Sequence, residues 1–165
     1  MHTMKKILVI GSPGSGKSTF SRRLREITGL PLFYLDLLWH RADKTTYSRE
    51  EFDRKLGELL EREAWILDGN YARTLPLRLA ACDTVFWLDY PPEVCLEGIR
   101  ERRGKPREDM PWIEMEEDEE FMEYVRSFPA VRRQEIQRHL EEHPEKKIVI
   151  FHSREESEEF LSSLK

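Results

Sequence analysis

The sequence predicts an α/β fold in which helices cover both faces of a parallel β-sheet. Five short apolar runs alternate along the chain with segments of helical periodicity, as expected when each strand is followed by a crossover helix. A glycine-rich turn follows the first of these runs, and no internal repeat or linker interrupts the 165 residues. We therefore expect one domain spanning residues 1–165.

The strand predictions rest on five short runs rich in aliphatic and aromatic residues. Continuous apolar runs of this kind are typical of strands that are buried on both faces of a parallel sheet. The predicted strands are Lys6–Ile10, Pro31–Leu35, Ala64–Leu67, Thr84–Leu88 and Lys147–Phe151.

Helices are predicted in the intervals between these strands. Thr19–Ile27 has helical potential, and apolar residues recur at helical spacing between Phe52 and Leu60. Glu93–Arg103 follows a pair of prolines, which suits the start of a helix. Ser153 with Glu156 three residues later forms a capping-box pattern, which predicts a last helix.

Residues 11–19 read GSPGSGKST, a full match to the Walker A or P-loop pattern G-x-x-x-x-G-K-[ST]. Glycines let successive backbone N–H groups point inward at an anion, at the N-terminus of a helix that favours negative charge. Lys17 can reach the β- and γ-phosphates, and Ser18 places a hydroxyl where Mg²⁺ binds. The predicted ATP-binding residues are Gly11, Ser12, Pro13, Gly14, Ser15, Gly16, Lys17, Ser18 and Thr19.

Acidic residues follow three of the predicted strands, where ligands bind in open α/β sheets. A carboxylate beside a P-loop can hold Mg²⁺ through water or accept a proton from the attacking hydroxyl. Asp36 and Asp68 are the candidates for these roles, and Asn70 and Tyr71 are candidate substrate contacts close to Asp68. Asp89 is more simply interpreted as a cap for the turn before the next helix.

Arginines and aromatic residues supply further candidates. Arginine binds phosphate in a bidentate manner, although any one of them is also a plausible surface residue in so charged a chain. The aromatic residues could stack on a base or sugar, or belong to the core, and His40 could contact substrate or be structural. The arginines are Arg73, Arg78, Arg102, Arg107, Arg126, Arg132 and Arg133, and the aromatics are Tyr34, Trp39, Tyr47 and Tyr71.

Composition narrows the class of protein. The net charge is −5, with 32 acidic and 27 basic residues, which argues against a general nucleic-acid binder. No apolar run is long enough for a membrane span, and the N-terminus leads directly into the first strand, so we expect no signal peptide. The two cysteines lack metal-binding spacing and are expected to be reduced packing residues. These features predict a cytoplasmic protein.

The combined pattern resembles the small P-loop kinases, namely adenylate, shikimate and gluconate kinases, and most closely the bacterial DNA topology modulation proteins. The resemblance runs through nearly the whole chain, and the Asp-Gly-Asn-Tyr segment is its most discriminating marker. It rests on GSPGSGKST, Leu35-Asp36 with Trp39, Trp65–Tyr71, Cys82–Asp89 with Pro91, and Ser153-Arg154.

The resemblance implies a three-layer P-loop fold with strand order 2-3-1-4-5 and a helical lid at about residues 104–138. It implies that Asp68 binds Mg²⁺ or acts on the acceptor, and that Ser153 and Arg154 lie near the adenine. Adenylate kinases carry two arginines four residues apart where the helix meets the lid, whereas this chain has Gly98 and Arg102. Their Asp-Gly-Phe-Pro-Arg segment is also absent, so AMP is not implied as the acceptor.

Our principal hypothesis is an ATP·Mg²⁺-dependent phosphotransferase acting on a small molecule such as a nucleoside or nucleotide, with open oligomeric state. Arg102, Arg132 and Arg133 would neutralise the transition state when the lid closes, and Asp36 would orient the acceptor hydroxyl. The candidate catalytic residues are thus Lys17, Asp36, Asp68, Arg102, Arg132 and Arg133. The candidate substrate contacts are Asp36, Trp39, His40, Asn70, Tyr71, Arg73 and Arg78.

A second hypothesis is an ATP-binding regulator with little transfer activity. The acidic run of Glu114 and Glu116–Glu120, together with Trp112, would then contact a protein partner. The simpler interpretation of that run is a solvated helix start. Any effect on DNA topology would be indirect, because the acidic chain has no DNA-binding motif. An AAA-type ATPase fits poorly, since the chain is too short for the usual helical lid domain.

Overall fold

The computed structural model describes residues 4–111 and 118–164, which form a five-stranded parallel sheet in the order β2-β3-β1-β4-β5. This order confirms the predicted fold class. The strands are β1 (Lys6–Gly11), β2 (Leu32–Tyr34), β3 (Trp65–Asp68), β4 (Thr84–Leu88) and β5 (Lys147–Phe151). The helices are α1 (Lys17–Thr28), α2 (Leu35–Trp39), α3 (Arg49–Leu60), α4 (Leu75–Ala81), α5 (Pro92–Arg102), α6 (Glu119–Val131), α7 (Arg133–Glu141) and α8 (Arg154–Ser163).

Alternate residues of each central strand enter different hydrophobic cores, because side chains alternate between the two faces of a sheet. In β1, Leu8 and Ile10 pack with α3, α4 and α7, whereas Ile7 and Val9 pack with α1, α5 and α8. All four side chains are at most 1% exposed. The continuous apolar run of β1 therefore reflects burial on both faces, as predicted.

A local signal in the sequence accounts for the start of the last helix, α8. Ser153 accepts a hydrogen bond from the Glu156 backbone N–H at 3.2 Å, so the predicted cap is confirmed. The Glu156 side chain accepts from the His152 backbone N–H at 2.6 Å, one residue before the cap, and so does not close the predicted capping box with Ser153 itself. Cys82 and Cys95 are both buried free thiols. Among the described residues, no helix is long and apolar enough to cross a membrane.

The region predicted as a lid contains two packed helices. Met122 and Val125 of α6 are buried in the core on the α1 side, and Ile136 and Leu140 of α7 are buried in the core on the opposite side. A short 3-10 turn (Ala72–Thr74) also precedes α4. Half of the acidic run (Glu114, Glu116 and Glu117), together with Trp112, lies outside the described residues, whereas Asp118 caps α6 and Glu119 and Glu120 lie in its first turn.

Candidate functional site

The loop between β1 and α1 depends on two glycines with left-handed backbone conformation. Gly14 has φ of 83° and Gly16 has φ of 93°, a region that residues with a Cβ rarely adopt. A Cβ on Gly14 would lie 2.1 Å from the carbonyl oxygen of Cys95 in α5. A Cβ on Gly98, one turn further along α5, would lie 2.2 Å from the carbonyl oxygen of Gly14. The loop and α5 thus approach each other backbone to backbone.

This contact explains why position 98 is occupied by glycine and not by a residue with a side chain. The space beside Gly98 holds the guanidinium of Arg154, whose Nη2 would be 3.2 Å from an added Cβ. Arg154 donates to the carbonyl oxygens of Ser15 at 3.2 Å and Gly14 at 3.4 Å. Arg154, at the start of α8, therefore holds the loop from the β4–β5 side of β1, whereas β3 lies on the other side of β1.

One polar group inside the loop suits an anion. The Ser15 hydroxyl oxygen is buried and has no hydrogen-bond partner within the described part of the chain. Buried hydroxyls in proteins are normally hydrogen-bonded. A phosphate oxygen would satisfy this group, together with the open backbone N–H groups at the start of α1.

Lys17 and Ser18 face the last residue of β3. The Ser18 hydroxyl donates to Asp68 Oδ2 at 3.0 Å, and Lys17 Nζ lies 4.0 Å from Asp68 Oδ1. No group of three His, Cys, Asp or Glu side chains suited to a metal exists within residues 4–111 and 118–164. A hydroxyl beside one carboxylate, without an all-protein cage, fits Mg²⁺, which is commonly held by one or two carboxylates and substrate phosphates.

Asp109 is a second carboxylate at this position, and sequence reasoning missed it. Asp109 is 4% exposed and accepts two hydrogen bonds from Arg107, at 3.1 and 2.9 Å. Burial alone would raise the pKa of Asp109, but Arg107, Lys17 and the Ser18 hydroxyl outweigh it and lower that pKa to about 2. Asp109 is therefore ionised beside the loop.

The pKa of Asp68 shifts in the opposite direction. Burial is the largest cause, the charges of Asp109 and Asp36 add to it, and Lys17 opposes it, which together raise the pKa to about 6. Three carboxylates thus interact at this edge of the sheet. The arrangement concentrates negative charge where a divalent cation and Lys17 can offset it.

The segment that carries Asp109 is fastened over the loop by its neighbour. Glu108 accepts hydrogen bonds from Arg25 of α1 at 3.1 and 3.2 Å and from the Tyr34 hydroxyl. Tyr34 thus has a structural role, as a buried hydrogen-bond donor to Glu108. Trp39 also packs on the core, with its ring 5.7 Å from that of Phe52.

Within the described part of the chain, two large cavities open at this edge of the sheet, which we term the phosphate cavity and the acceptor cavity. The phosphate cavity, of about 510 Å³, is lined by loop residues including Gly16 and Ser18, and by Asp109 and Arg154. The acceptor cavity, of about 480 Å³, is lined by residues that include Asp36, Tyr71 and Arg132. Three cationic side chains line both cavities: Lys17, Arg102 and Arg107.

The acceptor cavity brings together side chains from distant parts of the chain. The Tyr71 hydroxyl donates to Asp36 Oδ1 at 2.6 Å. Burial and the neighbouring Asp36 raise the pKa of Tyr71, so the phenol stays protonated and donates. Asn70 accepts from the Gly11 backbone N–H at 3.1 Å and donates to the Gly11 carbonyl, which joins the two strand ends. His40 also lines this cavity.

Arg78 holds the Gly69–Tyr71 loop from behind. The side chain is fully buried and donates to the carbonyl oxygens of Gly69 and Tyr71, each at 3.0 Å, and to that of Asn70. Burial lowers the pKa of Arg78 to about 9. The described contacts of Arg78 place it behind the cavity wall, where it fixes the backbone that presents Asn70 and Tyr71.

The remaining candidates lie away from the two cavities. Arg73 is exposed and pairs with Asp53 at 2.7 Å. Arg133 donates to Asp89 at 2.8 Å, so the prediction that Asp89 caps the following turn is wrong; its carboxylate binds an arginine of α7 instead. The N-cap of α5 is Pro91, without a side-chain hydrogen bond. The Ser153 hydroxyl caps α8.

Comparison with other protein sequences shows that the chain is similar to adenylate kinases. It is 30% identical to adenylate kinase of Thermotoga maritima over 109 residues, 62% of this chain and 49% of that protein. It is 32% identical to adenylate kinase of Thermotoga petrophila over 94 residues, 55% of this chain and 42% of that protein. The chain thus spans about half the length of these relatives. No protein-family model matches it.

Comparison with solved structures supports the P-loop kinase fold. Shikimate kinase from Acinetobacter baumannii, in complex with shikimate, aligns over 98% of this chain and 91% of its own with a TM-score of 0.65 and 19% identity. An unliganded sugar kinase from Janibacter aligns over 98% and 92% with a TM-score of 0.57 and 17% identity. The predicted likeness to DNA topology modulation proteins is not among these findings and stays a prediction.

Proposed function

We propose that this protein is a phosphotransferase that moves the γ-phosphoryl group of ATP to the hydroxyl of a small molecule, with Mg²⁺. The observation that carries the proposal is the junction of the two cavities, where Lys17, Arg102 and Arg107 line both. Phosphoryl transfer requires donor and acceptor to meet in line, with cations around the migrating group. The similarity to adenylate kinases supports the same class of reaction.

The donor half of the mechanism follows from the loop. The open backbone N–H groups at the start of α1, together with Lys17, would hold the β- and γ-phosphates, and Arg154 keeps the loop in place through the carbonyls of Gly14 and Ser15. The Ser18 hydroxyl and the Asp68 carboxylate would hold Mg²⁺ or its water shell. When bound, Mg²⁺ supplies charge neutralisation on the phosphates.

The acceptor half depends on Asp36. One of its oxygens, Oδ1, accepts from Tyr71, and a carboxylate has a second oxygen that can accept a proton from the acceptor hydroxyl. The acceptor oxygen forms a bond to the γ-phosphorus while the bond from that phosphorus to the β–γ bridging oxygen breaks. The hydroxyl proton passes to Asp36, and ADP is released. Arg102, Arg107 and Arg132 stabilise the charge on the migrating group.

The test measures ATP consumption and product mass with a panel of nucleosides, nucleoside monophosphates and small hydroxy acids. Lys17→Ala is expected to remove most turnover. Lys147→Ala, at an exposed lysine that begins β5, is the matched control and is expected to retain it. A Lys17→Ala variant that phosphorylates its acceptor at the wild-type rate would contradict the proposal. Tight ATP binding without any phosphorylated product would favour an ATP-binding regulator instead.

A further inference from the structure

The acceptor cavity has an aromatic wall on α6 that the proposed mechanism does not use. Phe121 and Tyr124 stack, with ring centroids 6.4 Å apart and planes inclined by 24°, and Phe128 meets Tyr124 edge to face at 5.9 Å. All three line the cavity. Tyr124 is 39% exposed, whereas Phe128 is 5% exposed. Tyr124 therefore presents ring surface that the core does not cover.

The aromatic wall adjoins one arginine and one glutamate, whereas the other cations of the cavity, Lys17, Arg102 and Arg107, lie at the junction with the phosphate cavity. Arg132 donates to Glu135 at 3.3 Å, and both line the cavity. At the junction, Arg107 is held by Asp109, and Lys17 lies 4.0 Å from Asp68. The wall that faces a bound acceptor thus combines aromatic surface with arginine and glutamate that offset each other.

The carboxylate of Asp36 adds a repulsive element. Asp36 lines the cavity, and one of its carboxylate oxygens already accepts from the Tyr71 hydroxyl, so the carboxylate faces any acceptor that enters. An acceptor phosphate or carboxylate brought to Asp36 would meet negative charge, whereas a hydroxyl would donate a hydrogen bond to it. Discrimination of this kind, through repulsion of the wrong ligand, is a common source of specificity.

We infer that the acceptor is an uncharged, ring-bearing alcohol of the nucleoside class, whose planar ring stacks on Tyr124 and whose hydroxyl binds Asp36. This inference rests on the proposed function, because it names the substrate class of the same site. The cavity, at about 480 Å³, falls within the size range of small-molecule sites. Stacking on an aromatic side chain tolerates different bases, so several nucleosides are expected to bind.

The test is a binding titration by calorimetry, in the presence of a non-transferable ATP analogue and Mg²⁺, run beside the transfer assay. The probes are adenosine and cytidine, their 5′-monophosphates, and shikimate as a ring hydroxy acid. We expect a nucleoside to bind at least about 10-fold more tightly than its monophosphate or shikimate. Tyr124→Leu should weaken nucleoside binding about 10-fold, and Tyr124→Phe should retain it.

The outcomes separate this inference from the proposed function. Transfer to a nucleoside monophosphate or to shikimate in preference to a nucleoside would overturn the inference and leave the phosphotransferase standing. Nucleoside binding that Tyr124→Leu leaves unchanged would also overturn it. Nucleoside binding with no transfer to any probe would support the acceptor site and count against the phosphotransferase. Asp36→Asn, which removes the repulsion, is expected to narrow the difference in binding between nucleoside and monophosphate.

Discussion

The phosphate cavity and the acceptor cavity adjoin each other but are built in different ways. The phosphate cavity is centred on one short backbone segment, residues 11–19, and glycines allow α5 to approach that segment; residues of α5, residues 105–109 and Arg154 complete the lining. The acceptor cavity is made by side chains that come from α2, the loop after β3, α6 and α7. The core of the first is thus a local loop, whereas the second has no local core and exists only when the whole chain has folded.

This difference teaches where substitutions should act. Changes in the phosphate cavity are expected to alter the loop, the affinity for nucleotide and stability, because backbone positions there have little freedom. Changes to exposed side chains of the acceptor cavity are expected to alter which acceptor binds and how fast it reacts. Each prediction below tests one side of this contrast.

The largest effect is expected for Asp36→Asn in the acceptor cavity. An amide keeps the size of the side chain but does not take the proton from the acceptor hydroxyl, and general-base catalysis contributes about 10²–10⁴ in rate. We expect kcat to fall by roughly that factor while the affinity for ATP stays within about 2-fold of wild type. Single-turnover kinetics with separate ATP titration would measure both. A rate near that of wild type would exclude Asp36 as the base.

The same contrast explains how much could be predicted from the sequence. The strands and the loop were predictable because their signals are local: apolar runs buried on both faces, and the spacing of glycines, Lys17 and Ser18. Proximity of Asp68 to the loop also followed, because the carboxyl ends of neighbouring parallel strands share one edge of the sheet. In the structure, Asp68 is paired in register with Val9 of β1 and Tyr34 of β2.

The contacts of the site that could not be predicted depend on long-range packing, which leaves no periodic signal in the sequence. Asp109 lies in a segment without strand or helix pattern, and its pairing with Arg107 over the loop depends on Glu108 reaching Arg25 and Tyr34. Asp89 was expected to cap a turn because aspartate commonly does so next to proline. Arg133, brought to it by α7 from 44 positions later in the chain, competes for the same carboxylate.

The next largest effect is expected for Arg78→Met. This substitution should destabilise the backbone loop of residues 69–71, which forms part of the acceptor cavity. The substitution leaves the carbonyl oxygens of Gly69, Asn70 and Tyr71 without their buried donor. Because unsatisfied buried groups cost about 1–3 kcal/mol each, we expect a loss of about 3 kcal/mol or more in the free energy of unfolding. Urea denaturation would measure it. The control is Arg54→Met at an exposed i,i+4 pair with Glu58, where the change should stay below about 1 kcal/mol.

We expect the stability of the protein to depend on pH because of Asp68, which lies beside Lys17 and Ser18 of the loop. Its pKa is about 6 when folded against 3.8 in a model compound, so the folded state holds the proton more tightly and stability from this group is lost as pH rises from 4 to 6. The loss amounts to about 3 kcal/mol above pH 6. Asp109, with its pKa lowered from 3.8 to about 2, stays ionised in the folded state over this range, so its stabilising contribution rises slightly above pH 4 and is constant above about pH 5.

Asp68→Asn removes this titration and tests it directly. In ligand-free protein, the variant should gain stability relative to wild type by about 3 kcal/mol between pH 4 and pH 7, although it loses the carboxylate proposed for Mg²⁺. Chemical denaturation of both proteins across that range provides the measurement. A difference in stability that does not change with pH would show that Asp68 is not strongly desolvated in the folded state.

The smallest effects are expected for alanine substitutions of two glycines that lie within helices. Gly98→Ala places a methyl group 2.2 Å from the Gly14 carbonyl, and backbone cannot move aside as a flexible side chain could, whereas a methyl group on Gly57 in α3 meets nothing within 4 Å. Alanine favours a helix over glycine by about 1 kcal/mol, so Gly57→Ala should stabilise the protein by up to that amount. For Gly98→Ala, overpacking should outweigh this gain, with a net loss of about 1–2 kcal/mol and weaker ATP binding. Opposite signs in thermal denaturation would support the close approach of α5 to the loop, and equal stabilisation by both substitutions would disprove it.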